Sequence, residues 1–534
     1  MTSSSSASGQ SGAISIADVD VVPRHGATLS DASLQLSECV IRRTITDPQQ
    51  VTALIQQRGG RPELLPSTAL PALATEDRDG NFRPVALPRW QSPELQRAVI
   101  IALIDGGADI HGPAYDMSTR PIAVAVRAAN VMAVDILLSH DVRLRDDRFF
   151  MVMRLPFPNT GLRQTAQYEQ ELMKVYRRLI QHDRTLVTQT DGAGSNLAVY
   201  AALEEAGRYS QTFIEGYMTL LLDNGVDIAA PDTHNWGETP LYSAASFGSV
   251  HVADFLTRHL PSANDINRPS RNNTTPLTAA AQCCDLRNRR LGDQRLGPNE
   301  RKRAHEEAER YKAIISMLLR AGADIGRMPA NTNRQRRQRE LVVIEYTDVL
   351  NDLSTSAMAA LNAALAPHRS LAALLTPRLA AGPQEAAFFG WRIASYLFGT
   401  EAAKETITDT LTDSNTDVAR RVVAAVEHFV KCAALRAISN REVVGAMADV
   451  EGQMVRVPLQ CFAVRVEPGG QHRVLGVREV VHRARLDEAA KWGLAEGAVL
   501  KGFNTHLGND DCQFAWGQLG YIDSGGQFVS LGID

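Results

Sequence analysis

The stretch PDTHNWGETPLYSAASFGSVHVADFLTRHLPSANDIN, from Pro231 to Asn267, constrains the fold more than any other part of the chain. Thr239-Pro240 is a helix start, because a threonine hydroxyl accepts orphan amide hydrogens and a proline in the first turn forfeits no useful donor. Leu241, Ala244 and Ala245 keep the helix short and lean, so a neighbour can approach closely. Phe247-Gly248 stops it, since glycine takes the positive φ of a tight helix exit. Val250, Val252, Ala253, Phe255 and Leu256 then supply the apolar stripe of a second helix. Two helices this small cannot hide that stripe alone, so similar pairs must stack against them.

The threonine-proline-leucine opening, the paired alanines, the glycine turn and the apolar second helix resemble an ankyrin repeat. Tyr242 departs from the family pattern by standing where histidine is usual, which bears on that residue's side-chain bond back to Thr239. The resemblance implies a degenerate solenoid of helix–turn–helix units that holds a partner protein on its turn tips and on the inner faces of its first helices. Carried onto matching positions, the contact residues are Asp232, His234, Asn235, Trp236, Tyr242, Ser243 and Ser246, followed in the next repeat by Arg271, Asn272, Asn273 and Thr278. Trp236 is the strongest anchor among them, because aromatic and arginine side chains dominate binding hot spots.

The closing turn of such a unit recurs along the chain. It is strong at Leu103-Ile104-Asp105-Gly106-Gly107-Ala108-Asp109-Ile110, at Leu221 to Ile228 and at Leu318 to Ile325. It is weaker at Leu137 to Val142 and at Leu179 to Asp183. The spacing is uneven, so the expected solenoid, residues 91–330, carries insertions. The largest separates the Thr275-Pro276 helix start from a second helix near Tyr311 to Arg320, and its arginine-glutamate composition reads as a charged, solvated helix.

The flanks read differently. Residues 1–35 open MTSSSSASGQSG and are expected to be disordered, with too little apolar bulk to offset ordering entropy. In composition alone this start resembles the serine-rich openings of bacterial type III effectors. Residues 36–90, punctuated by prolines, are expected to form a short helical capping region. Residues 340–450 are expected to be an α-helical domain, with Pro367, Gly382 and Pro383 as breaks and a long amphipathic helix over 418–438. From 453 to 534 the apolar period changes to two, which predicts a small α+β domain: a turn at Pro468-Gly469-Gly470, a strand over 473–481 and a helix over 486–494. The fold class is therefore mainly α, an ankyrin-like solenoid followed by a helical region and a small α+β domain.

Charge and cysteines narrow the function. A net charge of −4 gives no global case for nucleic acid, and no run approaches the ~20 apolar residues of a spanning helix. The expectation is a soluble protein without membrane insertion, cytoplasmic or secreted by a non-Sec route into a host cytosol. The six cysteines contain no C-x-x-C pair, so neither a metal nor a disulfide framework is expected. A basic run, Arg334, Arg336, Arg337 and Arg339, has the composition of a nuclear address. No phosphate loop, dinucleotide fingerprint or serine elbow is present, and no catalytic residue or cofactor is assigned. The primary reading is an interaction scaffold or adaptor. The alternative is a bipartite effector in which the array recruits a host protein and a C-terminal thiol protease or acyltransferase modifies it, using Cys512 with His506, or Cys461 with His472 or His482.

Overall fold

A computed structural model describes residues 14–15, 31–58, 72–76, 82–86, 88–111, 120–145, 151–156, 165–204, 208–233, 236–293, 295–378, 385–411, 416–435, 444–450, 452–465, 472–502 and 510–533. The chain divides into two compact units: residues 1–256 with 270–272, and residues 257–269 with 273–534. The protein is mainly helical, with a small antiparallel sheet near its C-terminal end.

Most of the segment expected to be disordered, 1–35, lies outside the described residues. Within it Ile14–Ser15 is a short strand, β1, and helix α1 (Asp31–Ile41) has already begun. Within 36–90, expected to form a short helical capping region, the described residues hold helices α1 and α2 (Pro48–Arg58) together with strands. Ala72–Glu76 (β2) and Phe82–Ala86 (β3) form an antiparallel pair, and β1 joins β3 in parallel at Val85 and Ala86. Pro84 lacks a ladder donor, yet it is accommodated because β1 meets β3 only beyond it.

Helices, several of them in pairs, make up most of the remaining described residues of the first unit. They are α3 (Pro93–Asp105), α4 and α5 (Pro121–Arg127, Val131–Ser139), α6 (Ala166–His182), α7 and α8 (Leu197–Glu204, Gln211–Asp223), then α9 (Pro240–Phe247) and the start of α10 (Val250–His259). The second helices pack in sequence, α3 on α5, α5 on α6 and α6 on α8, while first helix α7 packs on α9. From 90 to 256 the described residues contain no β-structure beyond one isolated bridge, Arg145 to Met151.

That bridge marks an irregularity. The largely buried, non-helical stretch Met151 to Leu155 precedes α6. Its carbonyls would be orphaned there, but Tyr217 donates to Met153 O at 2.8 Å, Tyr176 to Arg154 O at 3.0 Å and Tyr209 to Pro156 O at 2.8 Å. Three tyrosines, two of them stacked on Phe213, thus satisfy the carbonyls of this non-helical stretch.

The recurrent closing turn is one local structure. The amide of Gly107 bonds Ile104 O and that of Ala108 bonds Leu103 O, and the same pair recurs at Asp141 and Val142, at Gly225 and Val226, and in the second unit at Gly322 and Ala323. All four turns place the first of these residues at positive φ, which glycine adopts without a Cβ clash.

The second unit is built around one helix. After the short α11 (Ala263–Ile266) come α12 (Pro276–Leu291) and α13 (Pro298–Arg320), so the arginine-rich insertion is made by lengthening both helices of a pair. Helix α14 then runs unbroken for 43 residues, Asn333–Leu375. It packs against α12 and α13, against α15 (Glu385–Tyr396), α16 (Thr400–Thr410) and α17 (Asp417–Ala434), and against α18 (Val477–Lys491). The break expected at Pro367 does not occur. An interior proline costs about 3 kcal/mol, and here Ala360, Leu361, Ala364, Leu365, His368 and Ala372 are all buried around it, which offsets that cost.

At the C-terminal end β4 (Val444–Val450) and β5 (Gln453–Pro458) form a hairpin, so strand begins earlier than the expected boundary at 453. A four-stranded antiparallel sheet follows, in the order Arg473–Gly476 (β7), Gln460–Val464 (β6), Leu519–Ile522 (β8) and Phe528–Ser530 (β9). The strand expected over 473–481 stops at Gly476 and the helix expected over 486–494 starts at Val477. Val477, Val480, Val481 and Ala484 recur at helical spacing and are buried, a period that outweighs the β preference of valine.

Candidate functional site

The tip between α8 and α9 is built from backbone outward. Thr239 caps α9 by accepting the Tyr242 amide at 3.1 Å, and Pro240 occupies the first turn. Ahead of the cap, the chain closes on itself: the Asp232 amide bonds Glu238 O at 3.0 Å, and the Asp232 carboxylate accepts the Gly237 amide at 2.9 Å. Gly237 has φ +67°, and a Cβ there would stand 3.1 Å from the Arg271 side chain. The Arg271 amide donates to Trp236 O at 2.7 Å and its guanidinium to Thr233 O at 2.6 Å. One arginine therefore clamps both sides of the loop that carries Trp236.

The preceding tip repeats this plan. Asp191 accepts amides from Ala193 and Ser195, and Gly194, at φ +81°, abuts Thr233 much as Gly237 abuts Arg271. An aspartate anchor and a positive-φ glycine covered by the next tip form a repeating unit of the surface.

The sequence-assigned contact residues separate into distinct environments. Trp236 is 59% exposed, and the other four tryptophans of the chain are buried or half-buried. Arg271 and Asn272 are exposed beside it in the same unit, and Tyr242 and Ser246 lie half-buried one turn apart on α9. Asp232 and Ser243 are buried, so they support the tip and the helix packing and do not offer contact surface. In the second unit Asn273 is exposed at φ +56°. Thr278 is buried there, 3.0 Å from the capping hydroxyl of Thr275, which removes it from the contact surface too. His234 and Asn235 lie outside the described residues. Thr233, whose carbonyl receives the Arg271 guanidinium, was not singled out in the sequence, because a backbone acceptor leaves no residue-type signal.

The thiols rearrange the chemical candidates. Cys512 is fully buried and His506 lies outside the described residues. The histidine that reaches Cys461 is His428 on α17, whose Nε2 stands 3.1 Å from Cys461 O and 3.4 Å from Cys432 Sγ. His472 lies over the Phe528 ring, and His482 is buried in α18. The sequence signal for the grouping was the His428-x-x-x-Cys432 spacing, which places both on one helix face.

A family model described as ankyrin repeats (many copies) matches residues 216–257, a stretch that starts within α8 and takes in the tip, α9 and most of α10. No curated protein matches the chain.

Proposed function

We propose that the helical pairs of this chain act as a degenerate ankyrin array that holds a partner protein, with Trp236 as its central anchor and the protein serving as an adaptor or scaffold. The observation that carries this reading is the position of the tip: the matched repeat presents a bulky, exposed indole on a loop whose backbone is clamped by Arg271. A rigid aromatic on a preorganised loop loses little entropy on binding. Arg271 and Asn272 beside it, and Tyr242 and Ser246 on α9, would supply the polar complement. The same closing turn ends the α12–α13 pair of the second unit, which gives that pair the local signature of a repeat.

The bipartite reading, with a C-terminal thiol enzyme, finds its first candidate, Cys512, sealed from solvent. The second, Cys461, is half-buried, with His428 Nε2 3.1 Å from its carbonyl oxygen.

The test is Trp236→Ala in the full chain, compared with wild type for capture of a partner from candidate lysates and for denaturation midpoint. Loss of a hot-spot tryptophan costs about 2 kcal/mol or more, so capture should fall roughly 30-fold, with the midpoint shifting by no more than the ~0.5 kcal/mol of a surface change. A large loss of midpoint would make Trp236 a packing residue. Unchanged capture with unchanged midpoint would move the binding surface elsewhere.

A further inference from the structure

His428 and Cys432 lie one turn apart on α17, and strand β6 brings Cys461 against them, so that one imidazole nitrogen and two sulfurs lie within 4.8 Å of one another. Two donors held at about 2.0–2.3 Å by one tetrahedral ion stand roughly 3.3–3.8 Å apart. The 3.4 Å between Cys432 Sγ and His428 Nε2 already meets that requirement, and the widest pair has only about 1 Å to close.

The surroundings suit a cation. The imidazole is held between the rings of Phe462, at 4.9 Å, and Tyr521, at 5.1 Å, which restrict its orientation and lower the local dielectric. The pair on α17 occupies its last two turns, where unsatisfied carbonyls present the negative end of the helix dipole. All three residues are half-buried, which leaves a route for an ion from solvent. The donor set of two sulfurs and one imidazole selects a thiophilic ion over Mg²⁺ or Ca²⁺.

We propose that His428, Cys432 and Cys461 form a Zn²⁺ site, with water or another donor in solution completing a tetrahedron. On binding, both thiols release their protons to solvent and the imidazole proton passes to Nδ1, freeing Nε2 from the Cys461 carbonyl; no electrons change hands. Two thiolates neutralise the dication, so the core gains no net charge, and the ion clamps α17 to β6, an inner strand of the four-stranded sheet. This site is independent of the binding tip on the first unit.

The experiment uses the reduced, chelator-stripped full chain, titrated with Zn²⁺ and with Co²⁺ as a spectroscopic stand-in. One equivalent should bind, with a thiolate-to-cobalt charge-transfer band, and Cys432→Ser or Cys461→Ser should weaken binding by more than the ~100-fold cost of losing a mere supporting partner. Cys39→Ser should bind as wild type. A measurement without variants guards against misfolding: Zn²⁺ should protect two thiols from alkylation, mapping to Cys432 and Cys461. Protection of other cysteines, absence of stoichiometric Zn²⁺, uptake of Cu⁺ alone, or binding unchanged in both serine variants would overturn the proposal.

Discussion

The tip depends on single side chains whose ionisation is readable. Glu238 lies half-buried beside the Asp232 anchor, and burial, followed by the Asp232 charge, raises its carboxyl above the ordinary 4.5. A carboxyl with a raised pKa in the folded state is a charge that folding disfavours. Its cost is full above the folded pKa, is relieved as pH falls through that value, and is gone below 4.5. Glu238→Gln should therefore stabilise the protein at neutral pH, with a gain that vanishes in urea melts performed below the ordinary glutamate value. A gain independent of pH would show that the carboxylate is not the source. Asp141 illustrates the opposite kind of signal: it occupies the positive-φ place that Gly107, Gly225 and Gly322 hold in the other closing turns, at φ +54°. Aspartate is among the few L-residues that tolerate that conformation, which is why the repeat there reads as weak in sequence while its turn is intact.

At the level of the element, α9 and α10 follow their sequence closely. Leu241 and Leu256 are both fully buried, so Leu241→Ala or Leu256→Ala should each destabilise the first unit by roughly 2 to 5 kcal/mol. A loss below about 0.5 kcal/mol for both in urea titration, no larger than a surface change, would put the register in error. Helix α14 shows where local rules yield. The basic run at its start, read as a nuclear address, is partly engaged within its own unit: Arg337 bonds the buried Asp285 at 2.9 Å, Arg336 bonds Ala330 O at 3.2 Å, and Arg339 lies 5.8 Å from the Trp492 ring centre. The contacts of Arg337 and Arg339 join residues far apart in sequence, so composition alone reads the run as a free cluster. The same helix is tied to α18 by Arg485, fully buried, which donates to Leu350 O and Asn351 Oδ1, each at 2.7 Å; burial lowers its pKa to about 10. A buried arginine needs such acceptors, and they lie more than 100 residues away.

For the molecule as a whole, two compact units in 534 residues predict unfolding that is not all-or-none. Calorimetry should give a total enthalpy larger than the van't Hoff enthalpy of its main transition; equality of the two would mean that the units melt as one. The sequence by itself determined the helical pairs, their caps and their glycine turns, because these rest on interactions within a few residues: the Thr239 hydroxyl with the Tyr242 amide, or a left-handed glycine closing a helix. It also placed Trp236 at a tip. Only the tertiary structure decided that Asp232, Ser243 and Thr278 turn inward, that Arg271 clamps the loop, that Pro367 stays inside a continuous helix and that His428 is the histidine facing Cys461. Each of those outcomes is set by packing between segments distant in the chain, where burial and hydrogen-bond satisfaction outweigh the local preferences that a sequence reveals.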